Sequence, residues 1–380
     1  MPPTPHPLRI VLAIGAHGPQ RGGAEEWVQH LAHWLAQRGH QVCIACERAE
    51  ASPPGNCTLV TLPSNQRATT SWHRAAALQE LVKQCPADIV HDTGCLLTAD
   101  VLHPLMGSLL HNWRRELRTY PPASRFRRLW RVRTWRDVGL QWRQMRRCRC
   151  LVAASDLVAA DFARLGCKAH AVIRNGIRLP VPVPADDIAR LRDKLGVGNR
   201  LLVLVTANNF RLKGVHTVLR ALAMLEKGER EKFLVLIAGR NEEDTYQRFI
   251  DEHDLGDCCR LMGWVSDTEP LHQAADVFLH PTHHDAGSLS TLKAIAAGCA
   301  VVTSRSDGSS EVLRDGVDGL VLNQPGDPRE LATILRQLLN AELRNRLALA
   351  ARKLVPVVSE ENCFGQLETL YFRLAGDARS

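Results

Sequence analysis

Short β-branched runs alternate with amphipathic stretches along this sequence, and they do so in two successive rounds. That alternation demands parallel sheets whose strands are joined by helices lying on the sheet faces. In the first round, strands are predicted at Arg9 to Ala16, Val42 to Cys46, Thr58 to Leu62, Ile89 to Asp92, Asp100 to His103 and Leu151 to Ala154. Trp27, Leu31, Trp34 and Leu35 recur at helical spacing on one face, and Gly39 stops that helix. The second round places strands at Leu201 to Thr206, Phe233 to Ala238, Cys259 to Met262, Val277 to Leu279, Ala300 to Thr303 and Gly319 to Leu322. Between the rounds, Pro180, Pro182 and Pro184 interrupt regular structure and mark a linker. The expected fold class is α/β: two Rossmann-like domains facing a central cleft, 1–170 and 171–362, with a helix over 363–376 packing back on the first. Ligands of such folds sit at the carboxyl ends of the strands.

The net charge of +8 is concentrated in one place. Between Asn112 and Cys150 there are thirteen Arg against two acids, Glu116 and Asp137, which leaves the rest of the chain slightly acidic. This argues against a protein that coats nucleic acid and for an enzyme with one cationic surface. Trp113, Trp130, Trp135 and Trp142 are interleaved with those Arg. Indole sits at headgroup depth while guanidinium binds phosphate, so Trp113, Arg114, Arg115, Arg127, Arg128, Trp130, Arg131 and Trp135 are read as a membrane or acceptor surface. The alternatives are a solvated basic helix or an RNA-binding face, the latter without any accompanying RNA-binding motif. No apolar run approaches the roughly 20 residues of a membrane span, and the N-terminal run Ile10 to Ile14 reads as a buried first strand. Twelve scattered cysteines fit a reducing cytoplasm rather than a disulfide framework, and Cys43-x-x-Cys46 lies within a strand-like run.

Two stretches carry the chemistry. Asn209-Phe210-Arg211-Leu212-Lys213-Gly214 follows a strand and opens a helix, so backbone amides and two cations can converge on a diphosphate. Further on, Asp285 precedes the small residues Ala286 to Ser288 at a helix start, an outline suited to a polyol and a phosphate. His280, His283, His284 and Asp285 offer an alternative metal site, but no more distant ligand completes it. Gly22 and Gly23 allow close approach of a ligand, or serve only as a helix start with Glu25 reaching back. Asp92 and Asp100 end strands where an acceptor hydroxyl would lie; His103 also ends a strand, where a merely buried histidine accounts for it.

The order of these motifs resembles that of the retaining glycosyltransferases of the GT-B fold, family 4, and of the lipopolysaccharide-core sugar transferases among them. The resemblance runs through Gly22-Gly23-Ala24-Glu25, Asp88-Ile89-Val90-His91, Asn175-Gly176, Arg211 with Lys213-Gly214, Gly263-Trp264-Val265, Asp285 to Lys293, Ser310-Glu311 and Asp315-Gly316. It implies transfer of a hexose from a UDP-, GDP- or ADP-linked donor, with retention, to a lipid-linked or core-oligosaccharide acceptor. Under it Arg211, Lys213, Gly22, Gly23, Ser288 and Leu289 hold the diphosphate, and Gly263, Trp264, Val265 and Lys293 face the nucleoside. Asp285 and His103 flank the reacting sugar. The nucleotide sugar is a substrate, and no cofactor or metal is implied. Partners are the donor, the glycan acceptor and an anionic membrane, with no nucleic acid, for a cytoplasmic protein peripheral on the inner membrane face. Three positions depart from the family: Asp285 shortens its first Glu, Ser288 replaces Gly, and Lys293 stands at its second Glu, which accepts hydrogen bonds from ribose. Lys cannot accept them. Either Lys293 reaches a phosphate, or the chain is a donor-impaired homologue acting as a membrane-associated binding or scaffold protein.

Overall fold

The computed structural model describes residues 6–18, 22–63, 70–239 and 243–377. The chain divides into two compact units, one of residues 1–114, 121–176 and 360–380, the other of 115–120 and 177–359. The first unit holds a seven-stranded parallel sheet of β1 (Arg9–His17), β2 (Gln41–Ala49), β3 (Thr58–Thr61), β4 (Ile89–Asp92), β5 (Val101–Leu102), β6 (Cys150–Ala153) and β7 (Ala171–Val172). Their order is β3-β2-β1-β4-β5-β6-β7. β7 pairs with β6 and completes this sheet, so the unit ends at 176 rather than at the expected 170. The helix Gly23–Gln37 buries Trp27, Leu31, Trp34 and Leu35, the stripe read from the sequence, and Gly39 follows it at φ 91°. Against that stripe lies the helix Glu360–Asp377, whose Phe364 ring meets Trp27 edge-on at 5.5 Å and Trp34 at 5.9 Å.

The second unit repeats the plan with β8 (Leu201–Thr206), β9 (Phe233–Ala238), β10 (Cys259–Gly263), β11 (Val277–His280), β12 (Ala300–Ser304) and β13 (Leu320–Leu322), in the order β10-β9-β8-β11-β12-β13. Alternate residues point to opposite faces of a strand. Val203, Val205, Val235 and Ile237 accordingly enter one apolar layer, while Leu202, Leu204, Leu234 and Leu236 enter the other. Burial on both faces is why these strands read as unbroken apolar runs rather than alternating ones. Chain enters and leaves this unit side by side, the Ile177 amide donating to the Val358 carbonyl at 2.9 Å. Among the described residues no helix is long and apolar enough to cross a membrane.

Candidate functional site

In the second sheet the strand order reverses between β8 and β11, so the loops leaving their carboxyl ends diverge to either side and open a crevice. Those loops are the two stretches singled out from the sequence. The first is anchored by Phe210, fully buried with its ring edge-on to Tyr246 at 5.2 Å, and by Asn209, whose side chain accepts from the Leu212 amide at 3.0 Å. The His283 amide donates to the Leu212 carbonyl at 2.8 Å and ties the loops together. Gly214 opens the helix Val215–Ala223 at φ 76°, and a Cβ there would collide with the Pro281 carbonyl, 2.9 Å from its carbon. No other residue type allows this approach.

The approach brings charges together. The Lys213 ammonium binds the Asp285 carboxylate, and His280 Nε2 lies 3.2 Å from the same oxygen. The Gly287 amide donates to the other carboxylate oxygen at 3.3 Å. Burial pushes the Asp285 carboxyl up, but the Lys213 ammonium and the His280 ring outweigh it and hold the acid well below the usual carboxylate range. Asp307, one residue group deeper, is fully buried, and burial raises its carboxyl. His280, Asp285 and Asp307 bring their donor atoms within 4.8 Å of one another, close enough to share a cation, and the Lys213 ammonium sits on this cluster.

The Arg211 guanidinium donates to the Thr119 carbonyl at 3.1 Å and lies 4.4 Å from the Tyr120 ring centre, a cation–π contact that leaves further N–H groups of its fork for a ligand. Ser288 caps the helix Leu289–Ala297 by accepting from the Thr291 amide, and its own amide donates to Asp307 at 3.2 Å. Of the two amides expected to cradle phosphate, Ser288's is therefore engaged within the protein, while Leu289 begins the helix proper. Lys293 is half-buried on the next turn; burial pushes neighbouring His272 down to about 4, and the Lys293 charge adds to that. Gly263 ends β10 at φ 63°, its carbonyl accepts from the Gly239 amide at 2.8 Å, and Trp264 is half-exposed beside Val265. Arg115, half-exposed, has a guanidinium nitrogen 3.3 Å from His284 Nδ1, both residues lying in the second unit.

In the first unit, Gly22 and Gly23 open the helix Gly23–Gln37 at the carboxyl end of β1, with no side chain capping its start; Arg21, in the same loop, lies outside the described residues. His103 follows β5, fully buried, with neither ring nitrogen hydrogen-bonded, and burial pushes it down to about 3. Its ring stands edge-on to Trp27 at 5.4 Å and tilted to His91 at 5.6 Å, and His91 Nδ1 is 2.5 Å from the Tyr371 hydroxyl. Asp92 is not a free polar group for an acceptor: its buried carboxylate accepts from the amides of Gly94, Cys95 and Leu96. Asp100 is likewise spent, on the Val90 amide and Arg149. Past the Pro121–Pro122 break, the basic segment forms the helices Pro122–Leu129 and Val132–Arg147. Phe126, Trp130 and Val132 are 65%, 72% and 68% exposed, and Arg127 and Arg131 are exposed beside them. Trp135 is 48% exposed, and Trp142 44%.

Residues 21–179 match the family model described as Glycosyltransferase Family 4, and residues 187–354 match Glycosyl transferases group 1. The chain is similar to the lipopolysaccharide core biosynthesis glycosyltransferase LpsE of Rhizobium meliloti, 26% identical over 337 residues that cover 87% of this chain and 90% of that one. It is also similar to the MMP alpha-(1->4)-mannosyltransferase of Mycolicibacterium hassiacum, at 28% identity over 75% of this chain and 70% of that one. Among solved structures, WaaG, a glycosyltransferase involved in lipopolysaccharide biosynthesis, superposes with a TM-score of 0.79 at 21% identity, covering 95% of this chain and 99% of that one. Anabaena HepE in complex with UDP and glucose gives 0.74 at 20% identity, covering 96% and 99%. At such identities the structures speak to the fold, which is theirs.

Proposed function

We propose, for a chain that belongs to the GT-B glycosyltransferases, that it moves a hexose from a nucleoside diphosphate sugar, with retention at the anomeric carbon, to a lipid-linked or core-type glycan at the cytoplasmic membrane face. One observation carries the reading: Lys213 and Asp285 meet at the strand-order reversal, beside the start of the helix Leu289–Ala297. On this reading the donor diphosphate draws the Lys213 ammonium from Asp285 toward itself, with Arg211 as the second cation. Positive charge fixed beside the leaving diphosphate stabilises the negative charge that grows as the glycosidic bond breaks. The Leu289 amide and the dipole of its helix add to that. Asp285, held ionised by Lys213 and His280 before the donor arrives and released by Lys213 once it has, accepts hydrogen bonds from the sugar hydroxyls. The reading assigns the leaving group's charge to these side chains rather than to a metal ion. A neutral His103 carries one donor and one acceptor, the pair a sugar hydroxyl can use.

The membrane part of the proposal rests on Phe126, Trp130 and Val132 standing out among exposed Arg. Support for the acceptor class comes from two relatives, one named a lipopolysaccharide core biosynthesis glycosyltransferase and the other a lipopolysaccharide glucosyltransferase. The deciding experiment incubates the protein with UDP-, GDP- and ADP-hexoses and a membrane lipid extract, and identifies the product and its anomeric configuration by mass spectrometry and NMR. A glycosylated lipid product that is lost in Lys213→Ala is the expected result. No binding or turnover of any donor, with vesicle binding intact, would instead leave the donor-impaired scaffold, which Lys293 in place of a ribose-binding carboxylate favours.

A further inference from the structure

The carboxylate of Asp307 is held by four donors from three separate segments. One oxygen accepts from the amides of Ser288 at 3.2 Å and Ser309 at 2.9 Å, the other from the hydroxyls of Thr291 and Thr303, each at 2.8 Å. Those donors lie on the start of the helix Leu289–Ala297, on β12, and on the 3-10 turn Gly308–Val312. The backbone beside it is locked as well: the Asp285 amide donates to the Ser306 carbonyl and the Gly308 amide to the Asp285 carbonyl, both at 2.9 Å. The Ser309 hydroxyl closes the ring by donating to the Ser288 carbonyl at 3.1 Å. A fully buried carboxylate with every oxygen satisfied is a fixed point, because any displacement leaves a buried charge short of donors.

We propose that Asp307 is a positioning residue of the donor site, holding Asp285 and the first turn of the Leu289–Ala297 helix at a fixed spacing so that carboxylate and helix amides meet sugar and phosphate together. This rests on the donor-site reading given above. Asp307 touches no reacting atom; it acts through Ser288, Thr291 and the strand of backbone at 285–287. The chemistry that counts is hydrogen bonding across segments rather than charge. An Asn at 307 keeps the acceptor for the two amides and turns its NH2 toward the two hydroxyls, which can accept; the Thr303 proton then has the His280 carbonyl, 3.3 Å away, as its acceptor.

The test titrates UDP, GDP and ADP separately into the full chain by calorimetry, and takes the tightest as the probe for variants. Asp307→Ala should weaken it roughly tenfold or more, and Asp307→Asn should restore it to within about threefold. Hydrogen exchange at 286–292 should quicken in Asp307→Ala and return to the wild-type rate in Asp307→Asn. Should Asp307→Ala fail to fold, Thr291→Val removes one of the four donors and should weaken the probe about threefold. Asp307→Ala binding within twofold of wild type, or Asp307→Asn as weak as Asp307→Ala, overturns the proposal. Lys213→Ala separates the two levels: if it binds the probe as wild type does, or if the wild type binds none of the three, the donor-site reading fails and this inference with it.

Discussion

Gly214 and Gly196 make a matched pair in one unit. Both are left-handed, at φ 76° and 71°, and both border helices, Gly214 before Val215–Ala223 and Gly196 after Ala185–Leu195. A Cβ at 196 meets nothing within 4 Å, whereas at 214 it runs into the Pro281 carbonyl. An alanine at either site takes on about 1–2 kcal/mol of left-handed strain, partly offset by about 0.4–1 kcal/mol from a stiffer unfolded chain. Gly196→Ala should thus cost about 0.5–1 kcal/mol. Gly214→Ala adds the cost of forcing backbone against backbone, about 1–3 kcal/mol by analogy with overpacked cores, for a total of about 2–4 kcal/mol. At roughly 2–4 °C per kcal/mol for a unit of this size, the calorimetric transition of the second unit should fall by a few degrees in the first variant and by about 5–12 °C in the second. Hydrogen exchange of peptides from 201–300 in rising denaturant assigns the transition to this unit. Because Gly214 adjoins Lys213 and Pro281 precedes Asp285 by one turn of loop, Gly214→Ala should also loosen nucleotide binding while Gly196→Ala leaves it alone. Equal stability losses in the two variants, within about 0.5 kcal/mol, would show that the Pro281 carbonyl does not crowd position 214.

The depressed Asp285 carboxyl adds stability that is present above its unfolded pKa, about 4, and falls away as the pH drops below it. Lys213→Met should therefore show its largest stability deficit at pH 6–8, shrinking by roughly 1 kcal/mol at pH 3; a deficit constant over that range contradicts the pairing. His103, pushed down to about 3 by burial, should stay neutral to pH 4 in nitrogen-detected NMR. Its unfolded form takes up a proton below about 6.5, so the first unit should lose stability as pH falls from there and His103→Phe should flatten that slope; a ring titrating near 6.5 excludes this. Phe126→Ser with Trp130→Ser should reduce sedimentation with phosphatidylglycerol vesicles by tenfold or more, from about 1.5–3 kcal/mol per apolar side chain no longer buried. Leu349→Ser, equally exposed but on the second unit, should change nothing.

The sheets were readable because their strands are buried on both faces. Leu201 to Thr206, Phe233 to Ala238 and Ile89 to Asp92 come out to the residue. β7 was not, since Ala171–Val172 is two half-buried residues in an apolar run that ends at Ile173, too short to announce a strand. The meeting of Lys213 with Asp285 was legible as two loops at carboxyl ends of strands, but their direct pairing was not, because it depends on Gly214 lying against Pro281. Asp92 misled for a simple reason: a polar residue ending a strand looks like chemistry, yet Asp92-Thr93-Gly94 is also a side-chain-to-backbone turn, and the structure uses it as one. Asp307 carried a weaker sign, an Asp before Gly308-Ser309 in the manner of a cap. Its links to Ser288 and Thr291 join residues 19 and 16 apart across two elements, which no local pattern encodes.

The helix Glu360–Asp377 leaves the ribosome only after every residue of the second unit, yet it supplies Phe364 and Tyr371 to the interior of the first. Order of synthesis and order of completion are thus inverted: the sheet that emerges earliest waits longest for its final wall. Until then the Trp27 and Trp34 stripe has no cover from this helix, while β8 to β13 already have all their own layers. A chain truncated after residue 359 should therefore carry a finished second unit and a sticky first one, and chaperones that recognise exposed aromatic surface would find it there.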